Sequence, residues 1–288
     1  MNKLHKRGDD DALFLREGVV DIDAAVVGVS RVRWTCIQAA EVDVDRAVQK
    51  MKDNRFDILP IEDGDAIKEY FQTKQWNNYS AVERKSINHR DVIPATTQLR
   101  EVIRAFSADS RNFYFLGAEK RIVGLISIAN LNCRQVKVYL FSLLSELEME
   151  LGKLLRQNCR EDELLDLTFR RSDPTRKDLE LKKRYELDRG AGIEVPFVDY
   201  LYLSQIVSLI RKKKFFGQLD FESAGKYDDA LNPLVTLRDN VMHPVRSLIT
   251  KPEECKKLWR DIDRIEQLLF SLHVRTCSQP SAVDLATS

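Results

Sequence analysis

From residue 18 to residue 134 the apolar positions switch between a period of two and a period of 3.6. Short β-prone runs at 19–20, 24–29 and 33–36 come first. Asp43 then opens a helical pattern with Val44, Ala47, Val48 and Met51 on one face. A strand is expected over 55–62 (RFDILPIE), a turn at 62–65 (EDGD), and another strand over 67–71. About fifty residues later the order returns. Ile93 is a strand position closed by Pro94. Thr97 caps a helix with Leu99, Val102, Ile103 and Phe106 on one face. Strands follow at 112–116 and 121–128 around a turn at 117–120, and another helix begins near Ala129. A supersecondary unit repeated at a fixed period predicts a duplicated α/β module.

After Cys133 only the helical period remains. Leu140, Leu143, Leu144, Leu147, Leu151, Leu154 and Leu155 form one stripe, with Glu146, Glu148 and Glu150 away from its centre. Further helices are expected over 161–171 (closed by Pro174), 175–188 and 198–212, with a break at 190–196 and a loop at 215–227. Asn232–Pro233 reads as an N-cap followed by proline at N1, opening a helix that runs to His243. A capping box at 250–253 (TKPE) launches the last helix, with Leu258, Ile262, Ile265, Leu269 and Leu272 inward. The expected organisation is a frayed lead-in (1–17), an α+β pair (18–134) built as β-α-β-β-α twice, an all-α bundle (135–275) and a polar tail (276–288).

Composition narrows the function. The 288 residues carry a net charge of +1, and residues 1–134 hold 21 basic against 20 acidic side chains. No half has the positive excess that coats DNA or RNA, so bulk DNA binding is not expected and any RNA contact must be local. Five scattered cysteines without a CxxC argue against a disulfide framework or a thiolate metal site. A charged N-terminus without an apolar h-region, and no apolar run of membrane-spanning length, predict a cytoplasmic protein with no membrane association.

In the second repeat, Gly124-Leu-Ile-Ser127-Ile-Ala-Asn130 ends a strand. This segment and the duplicated pattern resemble the paired domains named after cystathionine β-synthase, the CBS pair, over about residues 18–134. In that family the motif is glycine, two apolar residues, serine or threonine, two residues, then aspartate, and its hydroxyl and carboxylate meet phosphate and ribose. The resemblance implies that Gly124, Ser127 and Asn130 bind an adenine nucleotide, AMP or ATP, as a regulator. Asn130 replaces the aspartate, so its hydrogen bond to a ribose hydroxyl lacks charge assistance. The first repeat has no such motif. The alternative is a pair that only dimerises, with Ser127 an ordinary helix N-cap.

In the helical half, Leu237-Arg238-Asp239-Asn240-Val241-Met242-His243-Pro244 carries the candidate chemistry. Arg238 and His243 would sit about 140° apart on an unbroken helix. Pro244 pushes the residue before it out of the helical region, which lets His243 swing toward the Arg238 side. A second Arg–His spacing, Arg84 and His89, lies in a polar stretch expected to be a loop and is treated as coincidence. The 237–244 segment, with the helices around it, resembles HEPN domains, many of which are metal-independent endoribonucleases with an arginine, a polar residue, three residues and a histidine. Asp239 stands where the polar residue is often asparagine. The resemblance implies that Arg238, Asp239 and His243 form the catalytic set, with no metal ligands and no cofactor required. It also implies an RNA substrate, a homodimer that pairs two such sets, a 2′,3′-cyclic phosphate product, and a setting of stress or phage defence. Alternatively, Arg238 pairs with Glu146 or Glu150 on a neighbouring helix and His243 only caps its own. The chain would then be a non-catalytic adenine-nucleotide sensor that binds a regulatory partner protein. The basic run 211–214 (RKKK) is read as a solvated helix end rather than an RNA guide, and Trp34, Trp76 and Trp259 as packing residues.

Overall fold

A computed structural model describes residues 21–75, 78–109, 111–169 and 175–278. The expected lead-in at 1–17, the run at 19–20, Trp76, Pro174 and most of the tail lie outside the described residues. The chain is mixed α+β, with its sheets in the N-terminal region and a helical C-terminal half. It divides into an α/β unit (21–136 with 249–256) and a helical unit (137–248 with 257–278).

The α/β unit is a duplication with a constant offset. Strand β2 (Ile37–Gln38), helix α2 (Val44–Asn54), β3 (Ile58–Asp63) and the start of β4 (Ala66–Gln75) each reappear 55 residues later. Their counterparts are β6 (Val92–Pro94), α3 (Leu99–Asp109), β7 (Phe113–Ala118) and β8 (Arg121–Ser127). The short first strand pairs parallel with the strand after the helix, and that strand pairs antiparallel with the next. A register shift falls at the same place in both hairpins, at Ile61/Glu62 and at Leu116/Gly117. In β3 and β7 the first four residues are all buried rather than alternating, the signature of a strand covered on both faces.

Helix α3 is held by its whole expected face, Leu99, Val102, Ile103 and Phe106; of the expected α2 face Ala47 and Met51 are buried, while Val44 is exposed. Asp43 caps α2 by accepting from the Arg46 N–H at 2.8 Å, and Ala47 and Met51 pack with Ile37, Leu59, Ile61 and Phe71. The two repeats meet through Ile58 and Tyr70 on one side and Phe113 and Phe115 on the other. The Tyr70 ring stands edge-on to both phenylalanines, at 5.3 and 5.4 Å. Full burial of each such ring is worth ~1.5–3 kcal/mol.

The expectation of β-α-β-β-α twice needs correcting in the first repeat. No helix follows β4; strand β5 (Asn78–Ser86) does, paired antiparallel with β4. The equivalent edge beside β8 is filled by β1 (Val29–Ser30). Residues 24–29, expected as strand, are mostly a short helix α1 (Ala24–Val27), and the strand expected at 33–36 is displaced to β2. Arg84 is therefore a strand residue, ion-paired with Glu69 across the β4–β5 ladder, and is not in a loop. Tyr79 and Val82 anchor β5 on the core while its charged residues stay outside.

The helical unit contains most of α4 (Arg134–Asn158), then α5 (Glu161–Phe169), α6 (Arg176–Gly190), α7 (Leu203–Lys212), α8 (Ala224–Met242) and most of α9 (Glu254–Ser278). The seven leucines of the α4 stripe are all buried. Several boundaries differ from expectation. Helix α7 begins at Leu203 rather than at 198, behind a 3-10 turn over Phe197–Tyr200. Helix α8 starts eight residues before Asn232, capped by Ser223, whose hydroxyl accepts from the Lys226 N–H at 3.3 Å. Pro233 lies inside the helix; it removes one ladder bond, and burial of Tyr227, Ala230 and Leu231 ahead of it carries the helix through. The capping carboxylate after Thr250 belongs to Glu254, not Glu253: it accepts from the Lys251 N–H at 3.1 Å and the Thr250 hydroxyl at 3.0 Å. No described helix is long and apolar enough to cross a membrane.

Candidate functional site

Leu234, Leu237 and Val241 are buried, so α8 docks by that face. Arg238 sits at its edge with 21 % of its side chain exposed. Its guanidinium lies over the Tyr202 ring, 5.5 Å from the centroid. It approaches Glu148 at 3.6 Å and Asp239 at 3.7 Å. These separations are ion pairs but too long for hydrogen bonds, and the buried Nε–H has no hydrogen-bond partner among the described residues. The partner carboxylate from α4 is thus Glu148, not the expected Glu146 or Glu150. Burial pushes the Glu148 carboxyl up, outweighing the Arg238 charge and the bond it accepts from the Leu203 N–H at 2.7 Å.

A cavity of about 450 Å³ opens beside Arg238. Its wall carries Glu148, Glu180, Asp188 and Asp199 against the two guanidinium groups of Arg184 and Arg238. Four carboxylates against two guanidinium groups disfavour a bare phosphate there. His243 does not line this cavity. It ends α8 with an extended backbone, φ −97° and ψ 108°, which is what the following proline imposes, and its side chain is exposed. Release from the helix therefore occurs as expected, but convergence does not. Among the described residues no hydrogen bond joins Arg238 to His243, and the cavity beside Arg238 does not reach His243.

The second set of candidate residues does come together. Ser127 ends β8 and opens a 3-10 turn (Ile128–Asn132). The Asn130 Oδ1 accepts from the Ser127 N–H at 2.8 Å and from its hydroxyl at 2.9 Å. Both residues line a cavity of about 310 Å³ with Trp34, Phe56, Arg33 and Arg55, at the small end of ligand-site volumes. Trp34 is fixed by its indole N–H, which donates to Glu62 at 3.0 Å, and by edge-to-face contact with Phe115 at 6.3 Å. Burial alone would raise the Glu62 carboxyl, but hydrogen bonds from Trp34 and Arg31 hold it below the usual range. Two arginines, a hydroxyl, an amide and aromatic walls could meet phosphate, ribose and base, while the Asp57 carboxylate in the same lining opposes an anion. Gly124 does not line this cavity. A Cβ there would fall 2.5 Å from the Val29 carbonyl oxygen, so the glycine lets β1 approach β8.

No known family model matches this sequence, and no curated protein does.

Glu146, Glu150 and His273 are close enough to hold a metal ion. The His273 Nε2 lies 3.9 and 3.7 Å from the two carboxylates, and the Lys153 ammonium occupies the same Glu150 oxygen. Burial pushes the Cys36 and Cys255 thiols up to about 11, which suppresses their nucleophilicity. Of the basic run at 211–214, Arg211 binds Asp228 at 2.7 Å, Lys212 the Leu167 carbonyl at 3.2 Å, and Lys213 the Glu163 carboxylate. These three side chains tie helices together. The residues that sequence reasoning missed are Glu148, Tyr202, Arg33 and Arg55. Glu148 had the weakest signal, because Glu146, Glu148 and Glu150 alternate around one helix and only packing selects among them.

Proposed function

We propose that the chain is a metal-independent endoribonuclease of the HEPN kind, controlled by an adenine nucleotide held in a CBS-like α/β unit. The observation that carries this reading is the end of α8. One helix holds an always-charged Arg238 at a cavity wall and terminates in an exposed, helix-released His243. RNA brings its own nucleophile. His243 takes the proton of the 2′-hydroxyl, the oxygen attacks phosphorus, the bond to the 5′-oxygen breaks, and a 2′,3′-cyclic phosphate and a 5′-hydroxyl result. Arg238, once drawn from Glu148 and Asp239 to the phosphate that His243 meets, stabilises the phosphorane oxygens. One imidazole cannot protonate the departing 5′-oxygen while serving as base, so a second copy supplies the other. Met242 and Val245, exposed on either side of His243–Pro244, are apolar surface that such a copy covers. The cavity at Ser127 and Asn130 holds AMP or ATP through Arg33 and Arg55, and the protein works in the cytoplasm, in stress or phage defence.

A second reading is favoured by the Arg238 environment. With Glu148 and Asp239 beside it, Arg238 acts as a structural cation, and the chain is a nucleotide sensor that passes its state to a partner protein. One experiment separates the two. Purified protein, Arg238→Ala and His243→Ala are each given a labelled structured RNA in EDTA, with and without AMP or ATP. The nuclease reading expects cleavage by the intact protein alone, changed by nucleotide. Equal cleavage by all three, or none at all, leaves the sensor reading.

A further inference from the structure

Helix C-termini leave carbonyls without partners, and the common remedy is a left-handed residue whose N–H folds back onto them. At the end of α8 that remedy is closed, because His243 is extended and Pro244 has no N–H. The carbonyls of the C-cap and of the segment beyond it find a donor in Lys137. Its ammonium donates to the carbonyls of His243 (2.8 Å), Pro244 (2.9 Å) and Arg246 (2.7 Å), which uses all three of its hydrogens. The side chain is 9 % exposed. It lies in the first turn of α4, where the helix dipole disfavours a cation. Burial and dipole both penalise this lysine, and three charge-assisted hydrogen bonds offset them. The Arg246 N–H adds a bond to the His243 carbonyl at 3.2 Å. Five residues before Lys137, Asn132 donates to the Ile249 carbonyl at 2.7 Å and accepts from the Ile249 N–H at 3.0 Å. Each contact lies within its own unit: Asn132 holds Ile249 in the α/β unit, and Lys137 holds His243 to Arg246 in the helical unit.

We infer that Lys137 is the positioning residue for His243: where Pro244 forces the histidine out of the helix, the Lys137 ammonium pins its carbonyl and those that follow, so that the imidazole is presented from one backbone position. Its catalytic consequence rests on the nuclease reading above; its geometry does not. The full chain is compared with Lys137→Met, which keeps length and loses every donor, and with Lys137→Arg, which restores cationic donors. In a ¹⁵N-lysine spectrum the wild type shows an ammonium signal protected from solvent exchange, assigned by its loss in Lys137→Arg. The His243 imidazole resonance, assigned by its loss in His243→Gln, moves or splits in Lys137→Met and returns toward its wild-type position in Lys137→Arg. In RNA cleavage Lys137→Met lowers kcat about a hundredfold with KM little changed, as misplacement of a reacting group by about 1 Å does, and Lys137→Arg recovers most of it. A wild-type Lys137 ammonium that exchanges freely overturns the assignment without any folded Met variant. So does an unmoved His243 resonance with unchanged kcat in Lys137→Met. If the wild type cuts no RNA, the nuclease reading falls, and the two spectra still decide what Lys137 does.

Discussion

The two candidate sites differ in how a short motif reaches its geometry. Ser127 and Asn130 are three residues apart at a strand end, and the capping box between them is closed by their own side chains. Local backbone dictates that arrangement, and the cavity forms where the repeat places the strand end. Arg238 and His243 are five apart on a helix, and nothing local joins them. Each answers to a different neighbour: Arg238 to Glu148 and Tyr202, His243 to Lys137. A motif whose members hydrogen-bond one another carries its geometry in the sequence. A motif spaced around a helix borrows its geometry from the packing.

The largest expected effect separates the α8 end from everything else. His243→Ala lowers RNA cleavage by ~10²–10⁴-fold, the usual range for a lost general base, while Ser127→Ala leaves cleavage without nucleotide near wild type; both are read in one single-turnover assay. Next comes the core that joins the two repeats. Phe115→Ala, at the centre of the Ile58, Tyr70 and Phe113 cluster, costs ~3–5 kcal/mol in urea unfolding and abolishes nucleotide binding with it. Asn130→Ala in a folded protein weakens AMP or ATP binding about tenfold, the loss of one hydrogen bond, as measured by calorimetry. Glu148→Gln removes the charge that restrains Arg238 and raises RNA affinity several-fold; a fall would mean that Arg238 needs Glu148 for position.

The smallest effect concerns Asp261 on α9, whose burial raises its carboxyl to about 6 despite Lys257, Arg260 and Arg264 nearby. The folded chain then binds this proton more tightly than the unfolded chain. Its contribution to stability is present below about pH 4 and is lost as pH rises through about 6. Asp261→Asn flattens that part of the stability profile and raises Tm at pH 7 by about 2–4 °C; a lower Tm would mean the ionised carboxylate has a favourable partner.

Much of the fold was legible because its signals are periodic and repeated. The α3 face, the Ala47 and Met51 positions of α2, the β3–β4 and β7–β8 hairpins and the α4 leucine stripe all follow from spacing. Strand β5 was not, since NYSAVERKS has few apolar residues, and its place is set by pairing with β4 and by Tyr79 and Val82 alone. Pro233 misled because proline at N1 and proline inside a helix look alike until the buried residues before it are known. Of the site, Ser127, Asn130, Arg238 and the helix-ending role of Pro244 could be read directly. Glu148, Lys137, Arg33 and Arg55 could not, because long charged side chains find their partners only across the fold.

The central claim is that His243 and Arg238 break RNA by transesterification without a metal. Its most direct measurement is the 3′ terminus of the RNA product formed by the wild-type chain in EDTA. The account predicts a 2′,3′-cyclic phosphate paired with a 5′-hydroxyl on the downstream fragment; a 3′-hydroxyl with a 5′-phosphate, or cleavage that stops when metal is chelated, would contradict it.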